Sequence, residues 1–244
     1  MKLKGKRIVL TGGTSGVGSE LVERLADQNE LVVLGRNASK LVNLKRRFPT
    51  VGTELCDLAD GASTGVACLS LTERFTPFDV LICNAAVQHP ARFTSVGFDS
   101  RMIEPEVTTN FTSICVLIGR LLPALRESGR PGKIVLVNSA LALAPKTDSA
   151  VYCATKAALR SLGWSLEYQL AESPVSVTQV YLPLVDTPMT AGRGQGKISA
   201  KQAADEIIAG IESGARERFV GKARLIAWIN RISPRVAREI LRRQ

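Results

Sequence analysis

Histidine is almost missing from this chain: His89 is the only one among 244 residues. A single histidine cannot build a metal cluster, and His89, next to Pro90, reads as a loop side chain with no catalytic duty. Cysteine pairs are missing too. Cys56, Cys68, Cys83, Cys115 and Cys153 show no CxxC spacing, their number is odd, and several lie in apolar runs such as Val80-Leu81-Ile82-Cys83. They read as reduced, mostly buried thiols with no metal site. No apolar run approaches the ~20 residues that cross a bilayer. Basic residues 1–7 are followed only by Ile8, Val9 and Leu10 before Thr11 and two glycines, too short an apolar stretch for a signal peptide. A cytoplasmic protein is expected.

Acidic residues are scarce in one region. The net charge is +10, and residues 215–244 hold nine Lys/Arg against two Asp/Glu. The rest of the chain is close to balanced, so the basic character belongs to the C-terminal segment and nucleic-acid binding is not expected.

What is present is alternation. Short, mostly apolar segments at residues 7–11 and 31–34 read as strands, and further strands are expected at 53–56, 80–83, 134–137 and 177–181. Amphipathic or apolar stretches between them read as helices, among them 16–27, 108–127 and 149–172. Near-continuous apolar strands alternating with helices predict an α/β fold: one Rossmann-type domain with a doubly wound parallel sheet and helices on both faces. There is no internal repeat and no low-complexity linker. Residues 1–221 are expected to form the catalytic domain, with glycine-containing residues 190–199 as a mobile substrate loop. Residues 222–244 form a basic amphipathic tail, which Pro234 should divide into two helices.

The chemistry sits at strand ends. The first strand runs into Thr11-Gly12-Gly13-Thr14-Ser15-Gly16-Val17-Gly18. Glycines let the backbone approach a phosphate, and the following helix N-terminus offers free N–H groups. Tyr152 and Lys156 are four apart and share a helix face. A free tyrosine has a pKa of ~10, and lowering it by ~3 units takes about 4 kcal/mol, a task Lys156 and an oxidised nicotinamide can share. Ser139, at the end of the fifth strand, can hydrogen-bond a substrate oxygen. The second strand ends in Gly35-Arg36-Asn37, without the acid that would bind a ribose 2′-hydroxyl. Arg36 instead suits a 2′-phosphate, so NADP(H) is favoured over NAD(H).

Further segments follow in order: Asp57-Leu58, Cys83-Asn84-Ala85-Ala86, Asn110, Ser139, Tyr152-x-x-x-Lys156, and Pro183-Leu184-Val185-Asp186-Thr187. Together with the TGxxxGxG turn they resemble the short-chain dehydrogenase/reductase family across roughly residues 5–190. Gly12-Gly13-Thr14-Ser15-Gly16, Gly35-Arg36-Asn37 and the basic tail look like its bacterial DltE-like branch. The resemblance implies that Gly12, Thr14, Ser15, Gly16, Val17, Gly18, Arg36, Asp57, Leu58, Asn84, Ala85, Tyr152, Lys156, Pro183, Val185 and Thr187 hold the cofactor. It implies a catalytic set of Asn110, Ser139, Tyr152 and Lys156, with Asn110 holding a water that links Lys156 to solvent. A homodimer or homotetramer is implied as well. The activity implied is hydride exchange between a carbonyl and an alcohol, with Tyr152 as general acid/base.

Two residues depart from the family pattern: Ala86 and Leu184 stand where glycine is usual, near the nicotinamide half of the site. Leu141, Ala142, Gln88 and Met189 are candidate substrate contacts, in apolar surroundings. The tail, with Trp228 among its apolar residues and interleaved arginines, reads first as a helix packed over the cleft or a neighbouring subunit, and second as a peripheral membrane contact. A non-catalytic regulator on this scaffold would be expected to lack the tyrosine or lysine, and both are present.

Overall fold

The computed structural model describes residues 1–127 and 129–242. Arg243, counted above in the tail, lies outside the described residues. Seven parallel strands form the central sheet: β1 (Arg7–Thr11), β2 (Glu30–Gly35), β3 (Gly52–Leu55), β4 (Val80–Cys83), β5 (Gly132–Ser139), β6 (Val175–Leu182) and β9 (Glu217–Phe219). Their order is β3-β2-β1-β4-β5-β6-β9, and a separate short pair joins β7 (Val185–Asp186) to β8 (Ile198–Ser199).

Strand pleating divides the interior into two layers. On β1, Ile8 and Leu10 face the layer that also holds Leu21, Leu41 and Ile207, from α1 (Gly16–Leu25), α2 (Ala38–Arg47) and α7 (Ala200–Ser213). Val9 faces the other, with Cys68, Leu117 and Leu159 from α3 (Gly61–Arg74), α5 (Ser113–Glu127) and α6 (Ala150–Gln169). Both faces are covered, which is why these strands read as unbroken apolar runs. Strand order reverses beside β1, with β2 on one flank and β4 on the other. Open α/β sheets bind ligands at the strands' C-terminal ends at such a switch point.

The structure departs from the sequence reading in several places. The helix expected over 108–127 starts earlier, as α4 (Ile103–Val107), and passes through a π-helical turn at Thr108–Thr112 before α5. That turn contains Asn110, and such bulges occur often at functional sites. Strand β9 has one large apolar residue, Phe219, so periodicity gave no sign of it. Tertiary contacts create it: Phe219 stacks on Tyr181 at 4.6 Å, and the Tyr181 hydroxyl donates to Glu217 at 2.6 Å. The tail forms α8 (Lys222–Ile232) and α9 (Pro234–Arg242). Their inner faces bury Ile226, Ala237 and Leu241 against Ala144.

Candidate active site

The first turn brings the chain close to β4. Gly12 has φ +71°, and a Cβ there would stand 2.9 Å from Ala85 Cα. A Cβ on Gly18 would overlap the Gly12 carbonyl oxygen. Thr11 and Asn84 rivet the turn in place. Thr11 Oγ1 accepts from the Asn84 and Ala85 backbone N–H groups at 3.0 Å each, and Asn84 Nδ2 donates to the Thr11 carbonyl at 3.1 Å. Asn84 thus shapes the cradle as much as it lines it.

One cavity of about 840 Å³ runs from this turn to Tyr152. Every cofactor-binding residue proposed from sequence lines it, from Gly12, Thr14, Ser15, Gly16, Val17 and Gly18 through Arg36, Asp57, Leu58, Asn84 and Ala85 to Tyr152, Lys156, Pro183, Val185 and Thr187. The size falls within the range of small-molecule and cofactor sites, roughly 300–1,000 Å³. Its lining carries Arg36, Lys146, Lys156, Arg193 and Lys222 against Asp57 and Asp148, an excess of positive charge that suits a phosphate-bearing ligand. The glycine cradle and Arg36 beside it fit a dinucleotide. Arg36 lies exposed at the edge, and Asn37 next to it is engaged in capping α2, accepting from Lys40 N at 2.9 Å.

At the far end, Ser139 and Tyr152 line the cavity together, with Ser139 pulling the Tyr152 phenol down, and Ser139 Oγ accepts from Leu141 N at 3.2 Å. Lys156 is buried, and its ammonium donates to the Val137 carbonyl at 3.0 Å. The Nζ lies 5.7 Å from the centre of the Tyr152 ring. Burial lowers the Lys156 pKa to about 8. Burial also pushes the Tyr152 phenol up, against an opposing pull from Ser139 and Arg193. The sequence reading had Lys156 and the oxidised nicotinamide lowering the tyrosine together. In this structure burial is the largest influence on the phenol, and the Lys156 ammonium donates to a carbonyl.

Asn110 stands in the π-helical turn. It is fully buried and its amide is spent on protein groups. Oδ1 accepts from Val87 N at 2.8 Å, while Nδ2 donates to the Val87 carbonyl at 2.8 Å and to Thr155 Oγ1 at 3.3 Å. Its side chain does not line the cavity; it positions the loop after β4 against the helix of Tyr152. His89 departs from the reading as a plain loop residue. Its ring and backbone N–H both approach the buried Glu106 carboxylate, at 3.4 and 3.2 Å. Ser149, immediately before α6, was missed altogether. It is buried in a left-handed conformation, φ 58°, three residues ahead of Tyr152. Such strain in a non-glycine residue, of order 1–3 kcal/mol, is tolerated where a site needs one helix geometry.

Of the substrate candidates, Gln88, Leu141 and Met189 line the cavity. Ala142 is a correction: it packs with Tyr181 and Ala223 in a small core cluster. Leu184 lines the cavity, and a Cβ on Gly194 would collide with its side chain, so it supports the loop above it. Its carbonyl accepts from Ile198 N at 3.1 Å. Ala86 lines the cavity too. Sequence reasoning missed Arg193, Lys146 and Lys222, and it gave no specific role to Ile226 and Leu241, which close the cavity from the tail.

The profile of the short chain dehydrogenase family matches residues 6–197, and the chain belongs to that family. It is 30% identical over 225 residues to the uncharacterized oxidoreductase DltE of Bacillus subtilis, covering 89% of this chain and 88% of that one. It is also 30% identical over 208 residues to L-xylulose reductase of Bos taurus, covering 85% and 83%. A short chain dehydrogenase from Burkholderia cenocepacia, solved in complex with NADP, superposes with a TM-score of 0.88 at 24% identity over 99% of both chains. One from Burkholderia phymatum, solved with NAD, gives 0.84 at 18% identity over 95% of this chain and 96% of that one. The protein is an oxidoreductase of this family, acting on the CH–OH/C=O pair of a small molecule with a nicotinamide nucleotide as cofactor.

Proposed function

We propose that the protein is an NADP(H)-dependent oxidoreductase with Tyr152 as its general acid/base. The observation that carries this reading is one cavity joining the glycine cradle, exposed Arg36 and the Ser139–Tyr152 pair beside buried Lys156. When bound, the nicotinamide supplies or accepts the hydride. Ser139 orients the Tyr152 hydroxyl and the substrate oxygen. Tyr152 gives its proton to that oxygen during reduction and takes it back during oxidation. Lys156, held by the Val137 carbonyl, favours the phenolate left behind whenever it is protonated. Asn110 acts as a positioning residue through Val87 and Thr155.

Arg36 supports the choice of NADP(H): it lies at the cavity edge with no acid from β2 beside it. Replacing Arg36 by Ala should weaken NADPH binding roughly ten- to hundred-fold, the worth of a charge-assisted contact. NADH binding should barely change. Equal losses, read by fluorescence titration, would refute the assignment.

Five free cysteines support a reducing, cytoplasmic setting. A homo-oligomer is proposed on the family resemblance. The tail's inner face closes the cavity, which supports the packed-helix reading. Its outer face leaves Leu225, Trp228 and Ile232 exposed among arginines, which keeps a second reading alive, contact with an anionic membrane. In liposome sedimentation, serine at all three positions should abolish any such binding; unchanged sedimentation ends that reading.

A further inference from the structure

The cavity has two differently built ends, and the one beyond Tyr152 is apolar. Leu141, Leu184, Met189, Ile226 and Leu241 line it. Into this greasy enclosure the loop after β7 sends one guanidinium, that of Arg193. Gly192 and Gly194, on either side, both adopt positive φ, which lets the backbone turn sharply at Arg193. The loop is tied down around it. Arg193 N donates to the Thr190 carbonyl at 3.1 Å, and Lys197 Nζ donates to the Thr190 carbonyl at 2.8 Å and to Asp186 at 3.2 Å.

What Arg193 touches is neutral. Nη1 donates to Gln88 Oε1 at 3.2 Å and Nη2 to the Met189 carbonyl. Among the described residues no carboxylate is paired with it, whereas Lys146, another cation of the lining, is neutralised by Asp148 at 2.7 Å; Lys222 lines the cavity as well. A guanidinium has five N–H donors in a planar fork that matches a carboxylate. Two partners leave donors to spare in a half-buried, apolar setting where a charge-assisted bond is strong. Its charge also reaches Tyr152, where it opposes the upward shift of the phenol. Arg193, Ser139 and Tyr152 all line this one cavity.

We propose that Arg193, backed by Gln88, anchors a carboxylate of the substrate, so that the enzyme acts on apolar oxo- or hydroxy-acids. The apolar wall holds the carbon chain, Arg193 the acid group, and Ser139 with Tyr152 the reacting oxygen. This rests on the reading of Tyr152 and the cofactor cradle given above.

The test uses the full chain saturated with NADP⁺, with decanoate and decanamide as isosteric probes differing in charge. Titration calorimetry on the wild type should show decanoate binding at least ten-fold tighter than decanamide. In Arg193→Gln that preference should fall to about one, with NADP⁺ affinity unchanged. Arg193→Lys, which keeps the charge and loses the fork, should retain part of it. Equal binding of the two probes by the wild type, or a preference that survives in Arg193→Gln, overturns the proposal. So does a loss of NADP⁺ affinity as large as the loss for decanoate, which would make Arg193 a cofactor phosphate ligand. A wild type that does not bind NADP⁺ shows itself before any carboxylate is added, and then the reading of the cofactor site has failed first.

Discussion

Strand β5 begins and ends near a buried lysine. At its N-terminal end Lys133 bonds Thr178 Oγ1 at 3.3 Å, and that hydroxyl in turn donates to the Ala215 carbonyl at 2.8 Å. Asp79, near the same end, accepts from Arg7 N at 2.9 Å and lies within 4.0 Å of Lys6 and 3.8 Å of Arg130. Around the C-terminal end Lys156 is as deeply buried, yet it borders a cavity. The closed end surrounds its charges with protein groups. The open end keeps Lys156 and Arg193 beside neutral partners and empty volume. A charge sealed by the fold serves, at most, stability, whereas a charge left facing a cavity is available to a ligand.

The comparison can be broken experimentally. The largest effect expected is at the open end: Tyr152→Phe should lower turnover roughly 10²–10⁴-fold, the worth of a positioned acid/base group. NADPH affinity should stay within about two-fold, since the ring remains. Retained turnover would remove Tyr152 from the chemistry. Next come the two lysines, each replaced by methionine. Lys156→Met should abolish most activity, while Lys133→Met should leave turnover intact. By urea unfolding the latter should be at least as stable as wild type or within ~1 kcal/mol of it, because well-packed apolar replacements of buried charges are often neutral or better. A crippled Lys133→Met would show that the closed end does more than fill space.

The smallest effect sharpens the contrast through pH. The Lys156 pKa is lowered from 10.5 to about 8, so above about 8 the folded chain has released a proton that the unfolded chain still holds. Unfolding then takes up that proton, and stability rises with pH from about 8 towards 10.5. Thermal unfolding of the wild type minus that of Lys156→Met should show this climb in the absence of cofactor. A flat difference would mean that Lys156 is not desolvated as the structure places it.

Much of this was legible in the residues. Strands β1, β2, β4 and β5 are largely apolar on both faces because both are covered, so their runs stood out. The glycine turn, Ser139, Tyr152 and Lys156 were legible because their roles need particular residue types at short spacing. Strand β9 was not, since Glu217 and Arg218 are polar and only the β6 ladder and Tyr181 make them extended. Neither was the duty of Asn110, whose amide partners lie 23 and 45 residues away. Arg193 sat in a glycine-containing stretch that looked merely mobile, and nothing local revealed what it faces.

The sequence by itself determined the alternation of strands and helices, the parallel sheet, the phosphate cradle and the Tyr152–Lys156 pair, because each depends on periodicity or on neighbours within one turn. The tertiary structure decided that the Asn110 amide clamps the loop after β4, that burial pushes the phenol of Tyr152 up, and that a loop and the C-terminal helices meet over the pocket. Those outcomes depend on desolvation and on contacts between segments far apart in the chain, and no local pattern encodes either.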